Sequence, residues 1–229
     1  MPQARFRRAS RSAGLALVSA ILFVASCSSA DGERVKHADG EGPLSDQSMG
    51  TTLSAHAPKS TPWDVAFGGH LLCTTDGSEI EIERFRLSME VEPLKEELLL
   101  RTLRPADLPA DWEDGDTTPY IVQYGGVGRL PVLEGVKIAG RISQAKPGMK
   151  VSQHCDEISE KTENGYTELF TQFRVDKRGA YMTNLLIDYR ANGRSYTLDT
   201  EWSAIACGNG IPRVDGQDYC DGTRDDDPQ

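Results

Sequence analysis

Nowhere is this 229-residue chain apolar for long enough to cross a membrane as a helix. Its longest such run, Ala13 to Ala25, has 13 residues against the roughly 20 that a spanning helix needs. No segment of useful length repeats apolar residues at helical period, which argues against a helical bundle and against the strand-helix alternation of a two-lobed solute-binding protein. Histidine is scarce, at four residues, and no C-x-x-C pair occurs, so the usual zinc pattern is missing. G-x-S-x-G and H-E-x-x-H are missing too, so two common hydrolase signatures do not apply. Positive charge is also short: 25 Lys and Arg against 35 Asp and Glu give a formal charge of −10. An acidic surface repels phosphate-rich partners, so neither nucleic acid nor anionic lipid heads are expected to bind it.

What is there begins at the N-terminus. Arg5, Arg7, Arg8 and Arg11 form a basic region, the apolar run follows, and Val24-Ala25-Ser26 places small residues directly before Cys27. These are the three parts of an export signal. Arg7-Arg8 is followed by Ala9-Ser10-Arg11 rather than by apolar residues, which favours general secretion over the twin-arginine route. Val24-Ala25-Ser26-Cys27 resembles the lipobox of bacterial membrane lipoproteins. That resemblance implies a diacylglyceryl group on the Cys27 thiol, cleavage just before it, and a mature protein held at the extracytoplasmic face of the cell membrane. Losing the four signal arginines takes the formal charge from −10 to −14.

Residues 27–61 are rich in Ser, Gly, Asp and Pro, and their sparse apolar residues follow neither strand nor helix period. They are expected to be a flexible tether reaching roughly 30 to 35 Å, with His37 and His56 solvated. A folded domain is expected over 62–220, beginning near Trp63, and an acidic disordered tail over 221–229. Ile80 and Ile82 alternate with glutamates, and then Phe85, Leu87, Met89 and Val91 continue on the opposite parity. That slip predicts a β-bulge near Glu83-Arg84. Leu98 to Leu103, Tyr120 to Tyr124, Val136 to Ile142, a stretch through Val151 and Cys155, and Tyr166 to Val175 read as further strands. Gly125-Gly126-Val127-Gly128 reads as a turn, since no helix start or lysine follows to make it a phosphate loop. The Pro- and Asp-rich stretch from Arg104 to Pro119 reads as a long surface loop. Asn192-Gly193 between two alternating runs predicts a type I′ hairpin that pairs Tyr189 with Tyr196, Ile187 with Leu198 and Leu185 with Thr200.

Besides Cys27 the chain holds an even four cysteines, Cys73, Cys155, Cys207 and Cys220, which outside the cytoplasm read as two disulfides. Cys155 with Cys207, and Cys73 with Cys220, is the favoured pairing, although the short 207–220 loop is the easiest to close. His154 beside Cys155 is not expected to act as a catalytic base, because neighbours on a strand point to opposite faces. Asp215, Asp218 and Asp221, like Asp114 and Asp116, miss the calcium-loop spacing. No metal and no cofactor is expected.

About eight strands and frequent turn signals predict an all-β domain, an immunoglobulin-like two-sheet sandwich, with a small barrel as the alternative. The lipobox resemblance extends loosely to small exported β-sandwich lipoproteins. The functional expectation is a lipid-anchored, non-catalytic module that binds an envelope protein or ligand. The alternative is a small extracytoplasmic hydrolase whose carboxylates converge only in space.

Overall fold

The computed structural model describes residues 33–48, 50–58, 60–107, 125–158, 165–213 and 218–220. Two units divide the chain, 1–30 and 31–229, and every described residue belongs to the second. The signal, Cys27, the Tyr120 to Tyr124 strand, most of the Arg104 to Pro119 loop and the 221–229 tail lie outside the described residues.

In chain order the strands are β1 (Val35–Ala38), β2 (Leu44–Ser45), β3 (Thr52–Ala55), β4 (Trp63–Leu71), β5 (Cys73–Thr74), β6 (Ile80–Val91), β7 (Lys95–Leu103) and β8 (Gly125–Arg129). Then come β9 (Val132–Leu133), β10 (Val136–Lys137), β11 (Arg141–Gln144), β12 (Lys150–Val151), β13 (Tyr166–Val175), β14 (Ala180–Ala191), β15 (Arg194–Asp199) and β16 (Ser203–Ala206). The first sheet is built on β14, with β6 along one edge and β15 and β16 sharing the other. β12 extends β6, while β1 lies parallel on β15 and β3 parallel on β16. The second sheet runs β10-β9-β8-β4-β13-β7-β11. Ile82, Leu185, Ile187 and Tyr189 from the first sheet and Val65, Phe67, Leu169 and Phe173 from the second close one core, with Trp202 among them. The domain is therefore all-β and a two-sheet sandwich, as the strand pattern predicts.

The hairpin has the expected register: Tyr189 faces Tyr196 and Ile187 faces Leu198, and Asn192 and Gly193 both take positive φ at the turn. The bulge is there as well. Asp188 pairs with Arg84 and Tyr189 with Ile82, which leaves Glu83 as the extra residue.

Other expectations need correcting. The stretch expected as a tether carries β1, β2 and β3, and folded structure starts at Val35 rather than near Trp63. These strands are two to four residues long, too short to show a period, and are held by backbone pairing and a few buried side chains. Leu44 lies in the core, and His37 is buried rather than solvated, with Nε2 2.6 Å from the Tyr189 hydroxyl. His56 is exposed as expected. Gly125 to Gly128 is strand, not turn, because a Cβ on Gly125 would run into the Phe67 ring of the neighbouring β4. Val136 to Ile142 splits into β10 and the start of β11, and the run after the hairpin breaks at Glu201, whose φ is 50°. Cys155 opens a 3₁₀ turn instead of extending a strand.

The disulfides are Cys73–Cys155 and Cys207–Cys220, which overturns the favoured pairing. The Thr74 amide donates to the Gln153 carbonyl at 2.8 Å and Thr74 bridges to His154, so the backbone itself brings Cys155 beside β5, with 4.9 Å between the Cα atoms. Cys207 is left with the partner that closes the shorter loop. By loop-closure entropy the 82-residue separation is worth about 4.5 kcal/mol and the 13-residue one about 3 kcal/mol.

Candidate functional site

The outward face of the first sheet carries the most organised set of charged side chains. Alternation along β6 turns Ile80 and Ile82 inward, and the bulge then sends Glu83 and Arg84 to the outside together. Across from Arg84 stands Asp188 of β14, only 1% exposed. Arg84 donates to Asp188 Oδ2 from Nε at 3.0 Å and Nη2 at 2.8 Å. Arg86 donates from Nε to the same oxygen at 3.0 Å and from Nη2 to Oδ1 at 2.8 Å. The Thr197 hydroxyl of β15 adds a fifth bond at 2.6 Å. Burial works to raise the Asp188 pKa, but the hydrogen bonds from Arg86, Thr197 and Arg84 outweigh it and take it down to about 2.

Glu83 repeats the arrangement one step along the face. Its Oε2 accepts from Arg34 Nη2 at 2.8 Å and its Oε1 forms an ion pair with Arg190 Nη2 at 3.0 Å, while Arg34 Nη1 donates to the Tyr196 carbonyl at 2.9 Å. Beside them Lys36 pairs with Asp199 at 2.6 Å. Four guanidiniums thus rest on two carboxylates. The carboxylates lie underneath and the cations outermost: the Arg84, Arg190 and Arg86 side chains are 63%, 57% and 40% exposed. Because Arg84 and Arg86 engage Asp188 through Nε and Nη2, their Nη1 groups remain without a hydrogen bond among the described residues. Held from below, the two forks are ordered before any ligand arrives, and an oxyanion is the chemistry they suit.

A second cluster is buried around a bulge in β4. Phe67 pairs with Thr171 and His70 with Leu169, so Gly68 and Gly69 together oppose Phe170. Gly69 takes φ of 113°, and its amide donates to Glu168 Oε1 at 2.9 Å. Glu168 Oε2 lies 2.6 Å from Arg101, whose Nη2 also donates to the Tyr166 hydroxyl and whose guanidinium stacks over Tyr166 and Phe170. Burial pushes the Glu168 pKa up to about 7 despite Arg101 and the Gly69 amide. His70 Nδ1 sits 2.5 Å from Asp46 Oδ2 and its ring packs edge-on against Trp202. Asp46 with His70 is the base-and-orienter half of a nucleophilic site. Ser48 Oγ and His70 Nε2 are each buried with no hydrogen-bond partner among the described residues, so they are not bonded to each other.

Ser48 lines a cleft of about 270 Å³ with Gly50, Thr51, Leu53, Gly68, Gly69 and Trp202. A larger cleft, about 530 Å³, runs past Ala57, Lys177, Asn209, Ile211 and Asp218. Neither lining contains two carboxylates. His154 caps the 3₁₀ turn, accepting from the Asp156 amide, and Cys155 beside it is oxidised. Of the sequence-predicted site residues, Cys73, Cys155, Cys207 and Cys220 are therefore structural, and Cys27 is not among the described residues. The arginine face was missed; its one trace in the sequence is the slipped alternation at Glu83-Arg84. Compared with known protein families, curated proteins and solved structures, the chain matches none.

Proposed function

We propose that this chain is a lipid-anchored envelope lipoprotein whose β-sandwich is a non-catalytic binding module on the extracytoplasmic side of the cell membrane. Cysteine pairing carries the reading. Four cysteines close two disulfides inside the domain, as suits an oxidising compartment, and the fifth is Cys27, at the position where the lipobox pattern puts the acylated residue. The arginine face suits binding, because it offers guanidinium donors on an open surface.

The test is fractionation of wild type and Cys27→Ala with intact-mass measurement of the mature N-terminus. The wild type is expected in the membrane fraction, released by detergent and not by salt, with the mass of an acylated Cys27. Cys27→Ala is expected to accumulate as an uncleaved, unacylated precursor. A wild-type chain found soluble with an unmodified N-terminus would overturn the reading.

A further inference from the structure

The first sheet starts closer to Cys27 than composition suggests. Arg34 is seven residues beyond Cys27 and immediately precedes β1. Seven residues span at most about 25 Å and typically about 15 Å, about half the reach of the tether expected from sequence. Arg34 is also a member of the arginine face, through Glu83 and the Tyr196 carbonyl, and Lys36 lies two residues on. The attachment point is thus seven residues from the rim of a surface where guanidiniums lie outermost.

Taking the lipid anchor as read above, we infer that this face docks on the phosphates of anionic lipid headgroups in the bilayer that holds the anchor, so that the domain lies on the membrane by its first sheet. The net charge of the chain does not decide the matter. At physiological salt the Debye length is about 8 Å, so acids on the far side of the sandwich are screened while arginines at contact are not. On the face itself Asp188 and Glu83 are already covered by the arginines they hold, and an approaching phosphate meets Arg84, Arg86 and Arg190 first. Exposed Glu33 stands at the margin, and exposed Glu81 lies directly across from Arg190 with Lys150 in register on its other side. A single phosphate on so open a surface would bind weakly. A leash that keeps the face beside a layer of phosphates turns that weak contact into an intramolecular one.

The experiment supplies the anchor chemically. Mature chain beginning at Cys27, its other cysteines in disulfides, is coupled through the Cys27 thiol to a maleimide lipid in vesicles of phosphatidylcholine with or without phosphatidylglycerol. Spin-labelled headgroups then report which amides approach the bilayer. With phosphatidylglycerol, signals of β6, β14 and β15 around Arg84, Arg86 and Arg190 should be lost while those of β7 and β11 on the second sheet persist. The selectivity should disappear without phosphatidylglycerol and in about 0.5 M salt, where the Debye length shrinks to about 4 Å. Arg190→Gln, which leaves the Asp188 cluster intact, should weaken it. Equal broadening on both sheets, or loss of signal independent of lipid charge, would overturn the inference while leaving natural acylation of Cys27 untouched. Selective docking in vesicles by a chain found unacylated in cells would overturn the anchor reading alone.

Discussion

Glu168 and Asp188 tie stability to pH in opposite directions. Buried Glu168 has a folded pKa of about 7 against an ordinary 4.5, so the folded chain holds a proton that the unfolded chain releases. Stability should therefore fall as pH rises from about 4.5 to about 7. Asp188 is held at about 2 against an ordinary 3.8, so its contribution is present above about pH 4 and is lost as pH falls through 2. Urea midpoints measured across this range check both. Glu168→Gln should flatten the slope between pH 4.5 and 7, because the amide has no proton to release, and cost about 1 kcal/mol, because its one oxygen can face only one of the two donors, the Gly69 amide and Arg101. An unchanged slope in that variant would assign the titration to another group.

At the scale of elements, the N-terminal strands depend on side chains that composition alone passes over. His37 Nε2 meets the Tyr189 hydroxyl, its ring packs edge-on against Tyr189 and Tyr196, and Gly42 folds over the ring so closely that a Cβ there would collide with it. His37→Ala should cost about 2 kcal/mol, because the buried Tyr189 hydroxyl loses a partner. Hydrogen exchange should quicken across β1 and at Leu44 and stay slow in the paired stretch of β14. Uniform protection would show that β1 is held by its ladder alone.

Where an element was long and alternating, its arrangement was legible. The Asn192-Gly193 turn carries both a backbone requirement and a parity, and the Glu83 bulge announces itself as a parity change. β1 to β3 are too short to repeat, and the glycines of β8 have no side chains to alternate. Cys155 was misassigned because closeness to a strand in sequence is not closeness to it in the sheet. The arginine face joins Arg34, Glu83, Arg84, Arg86, Asp188 and Arg190 from three regions of the chain, and nothing in one sequence says that they converge.

For the molecule as a whole, the parallel strands at its margins decide where it can be cut. β1 covers the free backbone of β15, and β3 covers that of β16. A chain starting at residue 62, where hydropathy places the domain, would lack both covers and the Asp46 partner of His70. Its β15 and β16 would then present bare rows of amides and carbonyls to other copies. Such a fragment should self-associate into β-rich aggregates at concentrations where a chain starting at residue 31 stays monomeric, as light scattering would show. The polar stretch that looks dispensable would then be what keeps the protein soluble.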